Sequence, residues 1–242
     1  WSEPESSDEE EKSVENRMAD PAAYLSDLRQ LLNEQWPRNR TVNIVCHGHS
    51  VPAGYFDTPN VRTLGAYPHL LLRELKSAYP YAVVNVIVTA IGGEHSAGGA
   101  ERFESDVLRL RPDVVTIDYA LNDRSIGLAE AERAWRSMIE KALAAGVKTI
   151  LLTPTWDHSM YRDELKAERE QLLAHTQQIR KLAAEYGVGL ADSFAAFERE
   201  ARHTHPSELL SWSNHPNERG HELVARELAR WFEPEAERSS PR

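Results

Sequence analysis

The chain has 242 residues, 41% of them hydrophobic and 27% charged, and a formal net charge of -10. That length supports one α/β domain with a core on both sides of a sheet, and no run approaches the roughly 20 apolar residues that span a bilayer. The negative balance, with no basic patch interleaved with aromatics, argues against nucleic acid, whose backbone is bound by Lys and Arg displacing counterions; the single Cys46 excludes an intrachain disulfide.

Residues 1–20 carry eight acids against Lys12 and Arg17 and show no apolar periodicity. Residues 1–19 are therefore expected to be a solvated, disordered leader, ahead of one domain over 20–233 and a polar tail over 234–242. Trp1 in place of Met points to an upstream segment removed, either as the signal peptide of a secreted or periplasmic protein or by the choice of where the chain starts, and the compartment stays open.

Asp20-Pro21 marks a helix start, because Pro suits the first turn. Tyr24, Leu28, Leu31 and Leu32 then share a face up to Pro37. Thr41–Cys46 is a short β-branched run that predicts a buried strand, with Cys46 as a strand thiol. A loop is expected over 47–63 and a helix over 64–79, with Leu70, Leu71 and Leu75 inward. Residues 81–89 predict the second strand. The glycine-rich stretch 91–99 predicts a turn, followed by a helix to about Leu110.

Residues 113–119 predict the third strand, and Leu128, Ala131, Trp135, Met138 and Ala142 the face of the next helix, closed by Gly146. Residues 147–153 predict the fourth strand, 162–186 a long helix, 188–191 the fifth strand, and 218–232 the last helix. Strand alternating with helix five times implies an α/β fold: a flavodoxin-like three-layer sandwich with a five-stranded parallel sheet and helices on both faces.

In such a sheet, ligands sit at the carboxyl ends of the strands. Four segments lie there or just before the last helix: Cys46-His-Gly-His-Ser-Val-Pro-Ala-Gly54, Ala90-Ile-Gly-Gly-Glu-His-Ser-Ala-Gly98, Ala120-Leu-Asn-Asp-Arg124 and Asn214-His-Pro-Asn217. Together they offer a hydroxyl, close-approach backbone, a carboxamide and an imidazole, the inventory of a hydrolase that works through a nucleophile, a base and oxyanion donors. The run Gly48-His-Ser-Val-Pro52 is not the Gly-x-Ser-x-Gly elbow of another large hydrolase plan. The later glycines also lack dinucleotide-binding spacing.

In this order the four segments resemble the blocks of SGNH (GDSL-type) hydrolases. The resemblance implies that Ser50 is the nucleophile and His215 its general base. It implies an oxyanion hole of the Ser50 N–H, the Gly93 N–H and the Asn122 side chain, and no cofactor or metal. The expected partner is a small-molecule ester or an acylated carbohydrate. Three positions depart from the family pattern: His49 replaces an Asp, Ala120 a Gly, and Trp212 the Asp three residues before the histidine. Indole accepts no hydrogen bond, so Trp212 cannot orient His215. A backbone carbonyl near 211–213, or an acid such as Glu208 or Asp157, is expected to do so.

The activity implied is serine ester hydrolysis of small or carbohydrate-linked acyl groups through an acyl-enzyme. Two other readings remain open at this level: a non-catalytic carbohydrate-binding domain, favoured by Trp212, and acyl transfer to a sugar by the same residues. The His-x-His pairs 47/49 and 203/205 have a spacing that permits metal binding but bring no third ligand. Arg124 is expected in a surface salt bridge.

Overall fold

Five short runs rich in Val, Ile and Leu pair into one all-parallel sheet of order β2-β1-β3-β4-β5. The computed structural model describes residues 18–234. The expected leader and tail therefore lie, apart from Met18, Ala19 and Pro234, outside the described residues.

The chain runs through α1 (Ser26–Asn33), β1 (Thr41–Gly48), α2 (Ser50–Ala53), α3 (Tyr67–Ala78) and β2 (Val83–Val88). It continues through α4 (Ser96–Glu101), α5 (Phe103–Asp106), β3 (Val114–Asp118), α6 (Ala120–Asp123) and α7 (Leu128–Ala144). It ends with β4 (Lys148–Leu152), α8 (Lys166–Tyr186), β5 (Gly189–Ala191), α9 (Ser193–Glu200) and α10 (Glu218–Ala229).

Alternation along each strand divides the core in two, because successive side chains point to opposite faces. Ile44, Cys46, Val114, Ile150 and Leu152 pack beneath Leu71 and Leu75 of α3 and Leu223, Val224 and Leu228 of α10. Val45, Val115, Ile117 and Leu151 pack on the other face beneath Phe103, Trp135, Met138 and Ile179. Cys46 is buried, and burial pushes its thiol up to about 12, so it is an unreactive core residue.

Several local expectations are corrected. The expected loop after β1 opens with the short helix α2, capped by His49 and closed by Gly54 at φ +90°. The segment leaving β3 is likewise a turn of helix, α6. The helix after the glycine-rich run begins inside it, at Ser96, and breaks into two short pieces. Helix α9 was not expected; its start is signalled by Asp192, whose side chain accepts the Ala195 N–H at 3.0 Å. Leu128 is 42% exposed, because it occupies the first turn of α7 before that helix meets the sheet.

Strand β1 is followed by β2 on one side and β3 on the other. Two successive connections therefore leave the sheet in opposite directions and open a crevice at the carboxyl ends of β1 and β3. The segments carrying Ser50 and Asn122 border that crevice: Ser50 stands two residues beyond β1 and Asn122 four beyond β3.

Candidate active site

Ser50 opens α2, directly after the carboxyl end of β1. Its own N–H belongs to a first helical turn, where no intrahelical acceptor is available. Gly54 closes the turn in the left-handed region that favours glycine, its N–H bonding back to the Ser50 and Val51 carbonyls.

The structure brings Ser50 and His215 together. Ser50 Oγ lies 3.0 Å from His215 Nε2, with both residues buried. His215 Nδ1 lies 2.7 Å from the Phe56 carbonyl oxygen. A carbonyl can only accept, so Nδ1 carries the ring hydrogen and Nε2 is left with its lone pair toward the hydroxyl. Burial lowers the His215 pKa below its ordinary value; the Phe56 carbonyl opposes this and the neighbouring His49 adds to it.

His215 is held by a local loop. The Ser211 N–H donates to the His215 carbonyl at 3.0 Å, and Leu210 bridges to Pro216. Asn217 then caps α10 by accepting the Gly220 N–H at 3.1 Å. The orienting acceptor is thus a carbonyl, as the Trp212 position requires, but it comes from Phe56 in the segment after the nucleophile and not from 211–213. Of the acids considered from sequence, Glu208 is exposed and accepts from Thr204, while Asp157 pairs with Arg124 at 2.7 Å and accepts from Ser159. Trp212 is 55% exposed.

Gly93 follows β2 in a turn closed by the Glu94 N–H to the Ile91 carbonyl, at φ +79°. A Cβ would meet nothing within 4 Å there, so glycine serves the backbone conformation and not a close approach. The turn's own bond uses the N–H of Glu94 and not that of Gly93. Asn122, half-buried in α6, donates from Nδ2 to the Glu94 carbonyl at 2.9 Å and ties the two exits together. A carboxamide nitrogen has a second hydrogen to offer.

Two neighbours brace these donors. Asp123 accepts the Ser96 N–H and the Trp135 Nε1–H, each at 2.7 Å, and fixes α4 and α7 to the β3 exit. Glu94 accepts from Arg102 and from Tyr119 Oη at 2.8 Å. Burial pushes the Glu94 carboxyl up, yet the Arg102 and Tyr119 donors outweigh it and hold the group below its ordinary range. His47 joins the cluster through Thr89 Oγ1 at 2.9 Å and Tyr119 Oη at 3.1 Å, a buried structural role. Sequence reading missed this brace, because its members are far apart in the chain.

His49 and Asp118 were also missed as a pair. His49 Nε2 lies 3.3 Å from Asp118 Oδ1, and His49 Nδ1 lies 3.3 Å from Ser50 Oγ. The signal available in sequence was the departure at His49 itself.

Residues 46–223 match the model of the GDSL-like Lipase/Acylhydrolase family. An acetylxylan esterase from Geobacillus stearothermophilus is 27% identical over 171 residues, covering 64% of this chain and 75% of that protein. A crystal structure of an acetylxylan esterase from the same organism superposes with a TM-score of 0.70 at 24% identity, covering 80% of this chain and 95% of that one. An α/β hydrolase enzyme from the metagenome of Lake Arreo, Spain, has a TM-score of 0.68 at 23% identity, covering 79% and 94%.

Proposed function

The chain belongs to the GDSL-like Lipase/Acylhydrolase family and is a carboxylic ester hydrolase, and from that premise we propose that it removes acetyl or other short acyl groups from carbohydrate esters through an acyl-serine on Ser50. The observation that carries the reading is the 3.0 Å contact between Ser50 Oγ and a His215 Nε2 whose other nitrogen donates to the Phe56 carbonyl.

In this mechanism His215 takes the Ser50 proton as Oγ bonds to the acyl carbon. The carbonyl oxygen becomes an oxyanion and accepts from the Ser50 N–H, the Gly93 N–H and Asn122 Nδ2. Collapse breaks the bond to the sugar oxygen, which leaves with the proton from His215. A water activated by the same ring then attacks the acyl-serine, and His215 returns its proton to Ser50 Oγ. Tyr55 offers aromatic surface near the site: its ring centroid is 6.1 Å from that of His215, and it also lies against Gly92, where a Cβ would meet Cε2 at 2.9 Å. The carbohydrate preference is supported by the acetylxylan esterase relative.

The test is a panel of p-nitrophenyl acetate, longer acyl homologues and acetylated xylo-oligosaccharides, assayed with wild type and Ser50→Ala. Fast release of acetate from the oligosaccharides, abolished by Ser50→Ala, is expected. Equal rates for the two proteins would remove Ser50 from the mechanism, and hydrolysis confined to long acyl chains would remove the carbohydrate-ester reading.

A further inference from the structure

Ser50 has a second imidazole beside it. His49 is 1% exposed, and its Nδ1 lies 3.3 Å from Ser50 Oγ and accepts the Val51 N–H at 3.4 Å. A ring nitrogen that accepts a backbone N–H carries no hydrogen, so the neutral ring bears its proton on Nε2. The one Nδ1 lone pair is shared between the Val51 N–H and the Ser50 hydroxyl, whereas that of His215 Nε2 faces the hydroxyl at 3.0 Å.

Behind His49 stands a carboxylate. Asp118 is 3% exposed; its Oδ1 is 3.3 Å from His49 Nε2, within ion-pair reach but without the alignment of a hydrogen bond. Its Oδ2 accepts from Tyr67 Oη at 3.2 Å. A buried carboxylate with a phenol as hydrogen-bond donor is short of compensating charge, and an imidazolium at Nε2 would supply it. By contrast, a protonated His215 has only the Phe56 carbonyl dipole behind it.

The pairing is built into the sheet. The His49 N–H donates to the Asp118 carbonyl at 3.2 Å, continuing the β1–β3 ladder beyond Gly48. A Cβ on Gly48 would meet the Asp118 carbonyl oxygen at 2.4 Å and Pro52 Cγ at 2.8 Å. Only glycine lets the backbone approach so closely, and that approach sets His49 over Asp118.

We propose that the His49–Asp118 pair is a second proton acceptor for Ser50, a carboxylate-backed imidazole in a chain whose Trp212 denies such backing to His215. The proposal rests on the reading of Ser50 as nucleophile. In this route the Ser50 O–H bond breaks as Oγ bonds to the acyl carbon, and the proton moves to His49 Nδ1 as Val51 releases it. Asp118 balances the imidazolium. When the tetrahedral intermediate collapses, an aryl oxygen of low basicity leaves as its anion and the proton on His49 returns to solvent. An alkyl or sugar oxygen needs a proton to leave, and its donor is His215. The His49 route therefore completes acylation unaided only for esters whose alcohol departs as an anion.

The experiment measures Ser50 acylation by p-nitrophenyl acetate in wild type, S50A, H215A, H215A/H49Q and H215A/D118N, with thermal melting to verify that each folds. H215A is expected to acylate at least about tenfold faster than H215A/H49Q, general-base catalysis being worth roughly 100- to 10,000-fold. H215A/D118N should fall with the latter, and H215A should hydrolyse an alkyl acetate no faster than S50A. H215A matching both double variants, with S50A inactive, would overturn this proposal alone. S50A matching wild type would overturn the nucleophile reading and this proposal with it. If H49Q does not fold, H215A/D118N carries the same comparison.

Discussion

The Nδ1–H of His215 donates to the main-chain carbonyl of Phe56 at 2.7 Å, and this bond turns Nε2 toward Ser50. The carbonyl is itself fixed. The Phe56 N–H donates to the Asn60 carbonyl at 3.1 Å, and the Phe56 ring is buried against His221 at 4.6 Å between centroids, with the Arg62 guanidinium 5.1 Å from the Phe56 centroid. A rigid acceptor that sets the tautomer performs much of the work of a carboxylate third member.

It follows that restoring the family's acid should bring little. In Trp212→Asp the new carboxylate would compete for a hydrogen that is already donated. The expected change in kcat on p-nitrophenyl acetate is less than about tenfold, equivalent to about 1.4 kcal/mol. A larger gain, measured by steady-state kinetics, would mean that the Phe56 carbonyl orients the ring poorly.

The pH profile has a definite sign. Catalysis through His215 requires the neutral ring, and burial depresses its pKa. The base therefore stays neutral further into acid than a free imidazole of about 6.5. kcat/KM on p-nitrophenyl acetate should already be on its plateau at pH 7, and should fall with a midpoint below 6.5. A midpoint above that value would contradict the buried, carbonyl-held ring.

Asn122 separates an oxyanion role from a scaffolding one. Asn122→Ala removes the proposed side-chain donor and the 2.9 Å bond to the Glu94 carbonyl. Loss of one oxyanion donor typically costs about 100- to 1000-fold in kcat, whereas one partly exposed hydrogen bond is worth only about 1 kcal/mol of stability. A large loss of kcat with a small shift in Tm is expected. The reverse pattern would make Asn122 a structural tie.

The parts of this site that were legible in sequence are those where local chemistry decides the outcome. The β-branched runs at Thr41 and Val114 can be read as strands because periodicity survives without tertiary context, and the exits of those strands carry Ser50 and Asn122. The partner of His215 was not legible. Phe56 contributes a carbonyl, which every residue has, and it comes within reach through a fold contact between positions 159 apart in sequence. The Glu94–Tyr119–Arg102 brace and the Asp118 pairing with His49 fail to show for the same reason, being made between strand exits. Helices α2 and α6 are single turns, too short for periodicity to register.

Asp123, next to Asn122, has a structural task. Its carboxylate satisfies the buried Ser96 N–H and Trp135 Nε1–H, both at 2.7 Å. Asp123→Ala leaves both donors without this acceptor, each at about 1–3 kcal/mol, so a loss of about 2–5 kcal/mol in urea unfolding is expected. A loss below about 1 kcal/mol would show that water or a rearranged loop replaces the carboxylate.

Buried histidines make the fold sensitive to acid, His47 and His221 most of all. Burial, the leading cause for both, pushes His47 down to about 4 and His221 down to about 3. In the unfolded chain both titrate near 6.5. Below that pH the unfolded state takes up protons that the folded state refuses, so the stability present above about 6.5 is lost as pH falls toward 4. The slope is up to about 1.4 kcal/mol per pH unit for each ring. Asp123, whose pKa burial raises, runs the other way and offsets part of the loss. Urea unfolding at pH 7.0, 6.0 and 5.0 (about one Henderson–Hasselbalch step apart) should show a falling midpoint. His221→Gln should flatten the dependence by roughly one ring's share; an unchanged slope in that variant would mean that His221 is protonated within the folded protein.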